Sequence, residues 1–238
     1  MSGRTAVREA VVALTLAVIT GYVDAVGFTH MFGVFVANQS GNVILFGIGL
    51  GDTDWNAVWR PSLAMLGFVL GVVLGLLLAR RIAEGRRAPT LLAIEAVLLL
   101  AVAAGAGDLA GRTTPFAGLQ AVLLLLASSV AMGVQTDVIR RVAQVSVATT
   151  YSSGTIMKIG DELAGVVVHA RLSPAARRAL IVMGAVVVAY VAGAAGGTAV
   201  VDHFGHGLWV GAGVCALIGL WLWRAPLRVV DPEPFAGD

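Results

Sequence analysis

Six apolar runs of membrane-spanning length recur along the 238-residue chain, at about 10–33, 61–79, 90–107, 117–139, 178–199 and 207–223. A helix needs about 20 apolar residues to cross the hydrocarbon layer, so the pattern predicts an all-α integral membrane protein of about six transmembrane helices. The polar stretches between the runs are too short to fold by themselves. The whole chain, 1–238, therefore reads as a single membrane domain with a flexible tail at about 225–238. Two stretches do not fit the scheme. Residues 34–51 carry Asn38-Gln39-Ser40-Gly41-Asn42 ahead of a short apolar run, and residues 145–163 carry Thr149-Thr150-Tyr151-Ser152-Ser153-Gly154-Thr155. Counted as full spans they would make eight and put the arginine-rich loop at 80–87 outside the cell. Broken or re-entrant segments are preferred, because non-helical backbone is tolerated at membrane depth where protein or a water-filled cavity satisfies it. At the amino terminus Arg4 and Arg8 precede an apolar stretch at 11–19, as in a secretory signal. No clear small-x-small site closes that stretch, and it is read as an uncleaved first span.

Composition sharpens this. Hydrophobic residues make up 58% and charged residues 13%, against about 45–50% and about 25% in soluble domains, which excludes a soluble globular protein. The net charge is only +2 and the arginines sit between the apolar runs, so nucleic acid is set aside. With the amino terminus inside, fourteen of the 16 Lys and Arg fall in inner segments and only Arg60 and Arg112 in outer ones. The positive-inside rule then predicts a plasma (inner) membrane protein with both termini cytoplasmic. Trp55, Trp59, Trp209, Trp221 and Trp223 flank spans as interface anchors do. The single cysteine, Cys215, excludes a disulfide framework and reads as a small buried hydrophobe.

Sliding the chain on itself by 113 residues aligns the two polar segments without a gap. Asp24 falls on Asp137, Ser40-Gly41 on Ser153-Gly154, Pro61 on Pro174 and Gly71 on Gly184, with 12 identities in 56 columns. Each half (about 10–107 and about 117–223) then holds three spans, and an odd number makes the second half enter from the opposite face. The fold expected is a 3+3 inverted-topology repeat, a plan that recurs in secondary transporters with the binding site at the repeat interface.

The chain resembles the YoaK-like family of small multi-pass membrane proteins, classed as a domain of unknown function. The resemblance rests on Gly21-Tyr22-Val23-Asp24-Ala25, Phe35-Val36-Ala37-Asn38 running into Ser40-Gly41-Asn42, Gly133 with Gln135, Arg140-Arg141, and Thr149-Thr150-Tyr151 followed by Ser153-Gly154-Thr155. It covers most of the chain. Ser40 and Ser153 stand where the family pattern has Thr, Thr136 where it has Asn, and Asp137 where it has a small apolar residue. The resemblance implies about six spans and no established activity.

Several residues could carry chemistry. Asp24 lies deep in an apolar run, where an acid costs about 2.5–3.5 kcal/mol on insertion scales; it is either a proton or cation site or a structural hydrogen-bond acceptor near the outer interface, with Asn42 as a partner. Asp137 has Arg140 and Arg141 three and four residues on, the spacing of a helix-surface ion pair. Glu95 is placed one and a half turns into the third span, within reach of snorkelling toward Arg86 or Arg87. The two hydroxyl-Gly segments offer a permissive backbone and helix starts at Asn42 or Thr155 whose free N–H groups attract anionic groups, or else they satisfy each other and let helices cross closely. Gly67, Gly71 and Gly75 form a small-xxx-small ridge whose partner helix lies in this chain or in a second one. Asp202, His203 and His206 are too few for a confident metal site, and no Walker, Rossmann or zincin pattern is present.

The leading reading is a small-solute permease working as a homodimer among membrane lipids. Its substrate-binding residues would be Asp24, Asn38, Ser40, Asn42, Gln135, Thr150, Tyr151, Ser153 and Thr155, lining a site for a polar uncharged or zwitterionic solute with a coupling proton or cation. No cofactor, resident metal or catalytic residue is expected, and the chain is not read as an enzyme. The alternative is a non-transporting assembly or lipid-handling protein in which the same polar residues serve packing.

Overall fold

A computed structural model of the chain describes residues 3–111, 114–142, 156–157, 159–164, 174–205 and 207–226. Those residues are helical with short connections, and no strand occurs among them. Helix α1 (Gly3–Val26) runs into a π-helical turn (Gly27–Phe32), followed by α2 (Gln39–Gly51), α3 (Trp55–Arg81), α4 (Glu84–Ala106), α5 (Gly118–Val142), α6 (Pro174–Phe204) and α7 (Leu208–Arg224). Five segments are long and apolar enough to cross a membrane: Val7–Phe32, Trp55–Arg81, Glu84–Ala106, Gly118–Ile139 and Arg177–Phe204. The shorter apolar helix Leu208–Arg224 makes a sixth of about 26 Å at 1.5 Å per residue. The chain is an all-α membrane protein of about six helices, as the hydropathy pattern predicts.

Contact registers fix the helix directions. Gly67 faces Leu126 and Ser129, Gly71 faces Val130 and Gly75 faces Val134, so α3 and α5 run parallel. Gly193 faces Val18 and Gly197 faces Tyr22, so α1 and α6 run parallel too. Opposed directions hold for α4 and α7, where Gly219 meets Leu92 while Leu109 N–H donates to the Gly205 carbonyl. They also hold for α4 and α5, where Gly105 meets Leu124 and Glu95 meets Gln135. Arg8 donates to the Ala225 carbonyl and Tyr22 to that of Gly207, which makes α1 antiparallel to α7. Hence α1, α4 and α6 point one way, and α3, α5 and α7 the other.

This alternation settles the role of α2. Since α1 and α3 are opposed, the segment between them makes no net crossing, and its 13 residues reach only about 20 Å. After Gly33, whose φ of 72° turns the chain where a side chain would strain it, residues 34–38 fold back alongside α1 to the level of Asp24. Helix α2 then climbs out again to Asp54, whose carboxylate caps α3 by accepting from Asn56 and Ala57 N–H. The first polar segment is thus re-entrant; most of the second, including Thr150, Tyr151, Ser153 and Thr155, lies outside the described residues.

Two crossings have a matched construction. A Cβ on Gly21 would strike the Tyr190 carbonyl, and one on Gly193 the Val18 carbonyl. Likewise a Cβ on Gly71 would strike the Val130 carbonyl, and one on Gly133 the Phe68 carbonyl. In all four helices the glycine follows its partner's contact residue by three positions. The Gly67, Gly71, Gly75 ridge is therefore occupied by α5 of the same chain and is not open to a second copy. Outward, α3 exposes Leu66, Val69, Leu70, Val73, Leu74 and Leu77, the face a bilayer would cover.

Charge divides between the two ends of the bundle. Arg8, Arg80, Arg81, Arg86, Arg87, Arg177, Arg178 and Arg224 belong to helix ends that meet at one end, where Arg8 lies over Trp221 and Arg86 over Trp223 at 4.9 and 4.0 Å from the ring centroids. Both α1 and α7 place their free ends there. The opposite end carries Asp52, Asp54, Asp108 and Asp202 with Arg60, which donates to the Phe32 and Phe116 carbonyls.

Candidate functional site

Asp24 is buried, on the face of α1 against which the re-entrant loop folds. Its Oδ1 accepts from three consecutive backbone N–H groups, Val36 at 2.8 Å, Ala37 at 2.7 Å and Asn38 at 3.4 Å. Its Oδ2 accepts from the Tyr190 hydroxyl of α6 at 2.7 Å. Backbone groups at membrane depth must find partners within the protein, and one carboxylate supplies them for the whole loop tip. Asn42, fully buried one turn into α2, locks the other side. Its Oδ1 accepts from Phe35 N–H at 3.0 Å, while its Nδ2 donates to the Phe35 carbonyl at 2.7 Å and to Gln39 at 3.0 Å. Asn38 caps α2 by accepting from Gly41 N–H at 3.3 Å, and its Oδ1 also accepts from the exposed Ser40 hydroxyl at 2.8 Å.

A second buried polar cluster begins one turn back along α1. The side-chain amide of Gln135 on α5 lies 2.6 Å from the Thr20 hydroxyl and 2.7 Å from Glu95 Oε1 of α4. Thr20 also approaches the Leu16 carbonyl, at 2.8 Å. From α7, the Cys215 thiol donates to Glu95 Oε1 at 3.1 Å. Thr20, Glu95, Gln135 and Cys215 are all buried. Among the described residues Glu95 Oε2 has no hydrogen-bond partner.

Comparison with known proteins places this arrangement in a family. The family model described as "Protein of unknown function (DUF1275)" matches residues 12–221. The chain belongs to the DUF1275 family. It is similar to the UPF0700 transmembrane protein YoaK of Bacillus subtilis (strain 168), 27% identical over 154 residues that cover 63% of this chain and 65% of that relative. The match therefore spans a little under two thirds of the relative's length. No solved structure matches the chain.

Among the described residues, several that carry the resemblance to this DUF1275 family build the middle of the bundle. Gly21 and Gly133 make the helix crossings, Asp24 holds the loop tip, Asn38 and Asn42 shape the start of α2, and Gln135 bridges α1 to α4. Of the nine residues expected at a solute site, Asp24, Asn38, Ser40 and Asn42 form one group and Gln135 belongs to the neighbouring one. Tyr190, Thr20 and Glu95 were missed as members. Tyr190 is a lone tyrosine in the apolar run 178–199, and that isolation was the available signal.

Two expectations change. Glu95 does not snorkel toward Arg86 or Arg87: α4 begins at Glu84, so Glu95 lies about three turns in, facing α5 and α7. Asp137 is buried beside Gly75 of α3 and not on the helix surface, and the side chains of its expected partners Arg140 and Arg141 lie outside what the structure describes. Asp202 pairs with His30 at 2.9 Å across the ends of α6 and α1, while His203 turns back to the Ala199 carbonyl and His206 lies outside the described residues. Among the described residues no group of three His, Cys, Asp or Glu side chains is placed to hold a metal ion.

Proposed function

We propose that the chain is a small-solute permease whose two halves form an inverted repeat. The observation that carries this reading is the matched pair of glycine crossings. Exchanging the halves turns α1 against α6 into α5 against α3, and both pairs are parallel with reciprocal glycine-to-carbonyl contacts. Helices α4 and α7, third in each half, pack antiparallel on one another, as elements about a two-fold axis in the membrane plane do. In this reading Val18 and Gly21 correspond to Val130 and Gly133, 112 residues on, and Phe68 and Gly71 to Tyr190 and Gly193, 122 residues on. The uniform offset of 113 thus serves the first helix of each half to within one residue, and additional residues in the second half precede α6. Pro61 and Pro174 are not equivalent.

The solute would meet the re-entrant tip, with Ser40 and Asn38 nearest the surface and Asp24 and Asn42 as its frame. Thr150, Tyr151, Ser153 and Thr155 would supply the facing side. Their neutral hydrogen-bonding character favours a polar uncharged or zwitterionic solute. The arginine-rich end of the bundle favours an orientation with both termini in the cytoplasm of a plasma membrane. A homodimer would have to use a surface other than the Gly67 ridge. No enzymatic role is assigned.

The rival reading, a non-transporting assembly or lipid-handling protein, draws on the hydrogen bonds that Asp24 and Asn42 already make within the chain. Reconstitution into vesicles separates the two. A library of polar solutes should contain one that raises the melting temperature and accumulates in loaded vesicles, with Ser40→Ala lowering uptake at unchanged folding and Asn38→Ala lowering it together with stability, by the roughly 0.5–2 kcal/mol that loss of a helix cap costs. A library without any such solute, or uptake indifferent to both substitutions, leaves the rival in possession.

A further inference from the structure

The hydrogen-bond chain from Leu16 to Glu95 has a direction. The Thr20 hydroxyl lies within hydrogen-bond distance of two acceptors, Gln135 Oε1 at 2.6 Å and the Leu16 carbonyl at 2.8 Å, while Gln135 Nε2 faces Glu95 Oε1. Its single proton serves only one of them, and the back-bond that Thr commonly makes to the carbonyl four residues earlier gives it to Leu16. With the proton on that side, Thr20 Oγ1 accepts from Gln135 instead of donating to its Oε1, 2.6 Å away. The amide of Gln135 can do so only with its NH2 turned to Thr20, an orientation related by a half-turn that leaves heavy-atom positions nearly unchanged. Its carbonyl oxygen then faces Glu95 Oε1 at 2.7 Å, the ordinary length of an O–H···O bond. Two acceptors at that distance repel unless one holds a proton. The amide oxygen cannot be the donor.

We propose that Glu95 is a proton-binding site at the centre of the bundle, a carboxylic acid whose O–H donates to Gln135. Its surroundings fit a neutral group. An ionised carboxylate with no exposure needs every lone pair met, yet Oε2 has no partner among the described residues. The titratable group facing it from α7 is the Cys215 thiol, which donates to Oε1. From α5 the nearest is Asp137, two residues beyond Gln135 and turned to Gly75 of α3. From α1 it is Asp24, one turn past Thr20 and committed to the loop tip. Removing the proton sets the carboxylate against the amide oxygen. Gln135 must then turn its NH2 to Glu95, and Thr20 gives up either Leu16 or Gln135. Proton occupancy on α4 is thereby linked to the α1–α5 contact. The proposal goes beyond the permease reading and stands without it, because the hydrogen-bond polarity is the same whether or not a solute crosses.

Infrared spectroscopy of the full chain in lipid vesicles tests it. At neutral pH the difference between wild type and Glu95→Gln should show loss of a protonated-carboxyl carbonyl band, and that band should move in Gln135→Ala, where the O–H loses its acceptor. Selective 13C labelling of glutamate carboxyls in the wild-type chain keeps the test intact should either variant fail to fold, since the acid band must shift with the label. A difference spectrum that instead loses a carboxylate stretch, or an acid band indifferent to glutamate labelling, overturns the assignment. Solute uptake plays no part in the readout, so failure here and failure of the permease reading are distinguishable.

Discussion

Asp24 and Glu95 are both acids buried between apolar helices, and their surroundings are opposite. Asp24 is met by donors alone: three loop amides on one oxygen and the Tyr190 hydroxyl on the other. Glu95 is met on Oε1 by an amide that can present either end and by a weak thiol donor, and on Oε2 by none of the described residues. The first environment suits an anion and the second an acid holding its proton. A buried acid therefore does not announce its role by burial; the polarity of the groups around it does. Asp24 organises backbone, and Glu95 holds a site with chemistry in reserve.

The strongest way to break this contrast is to remove Asp24. In Asp24→Ala the buried Val36 and Ala37 amides, the half-buried Asn38 amide and a tyrosine hydroxyl lose their acceptor, at about 1–3 kcal/mol for each buried group left unsatisfied. We expect a loss of several kcal/mol, read as a large drop in melting temperature and new proteolytic cleavage within 33–38. A variant with wild-type stability and an uncut loop would show that the tip does not depend on the carboxylate.

Isosteric amides sharpen it. Asp24→Asn keeps one oxygen for the loop amides but loses the charge, and hydrogen bonds to charged groups are worth about 1.5–3 kcal/mol against about 0.5–1.5 for neutral ones. A loss of about 1–3 kcal/mol is expected. Glu95→Gln copies the protonated acid, with an N–H in place of the O–H, and should lose less than about 1 kcal/mol. Equal losses in paired denaturation measurements would erase the distinction.

Much of this frame was legible in the sequence. The spans follow from hydropathy, the clustering of cations at one end from the placement of Arg80, Arg81, Arg86 and Arg87, and the burial of Asp24 from its apolar neighbours. Pairings across the fold were not legible. Tyr190 lies 166 residues from Asp24, and nothing local selects it. Glu95 was placed too near the interface because Arg86, Arg87 and Pro89 disguise the start of α4, which begins at Glu84. The glycine ridge on α3 declared close packing without naming α5. In the proposed repeat, a single offset of 113 could not carry past the point where the halves differ in length.

Tyr190→Phe tests the half of the Asp24 environment that ties it to α6. One hydrogen bond to a charged acceptor disappears with little change of shape, and a loss of about 1–2 kcal/mol is expected. The three loop amides should hold the tip in place, so proteolysis within 33–38 should stay at the wild-type rate even as the melting temperature falls. Cleavage rising to the level of Asp24→Ala would mean that the tyrosine, and not the amide cluster, secures the loop.

The smallest effect is expected at Cys215. Its thiol sits 3.1 Å from Glu95 Oε1, and sulfur is a weak donor. Cys215→Ser substitutes a stronger donor on a shorter bond in a site without solvent. The slightly smaller atom costs packing while the better hydrogen bond offsets it, so stability should change by less than about 1 kcal/mol. The carbonyl band of the Glu95 acid is the sensitive readout, because an added or strengthened donor to the carboxyl lowers its stretching frequency. A shift in that band with unchanged stability would place the seventh helix in contact with the proton site. An unmoved band would confine the site to α1, α4 and α5, leaving Cys215 as a filler of the gap between α7 and α4.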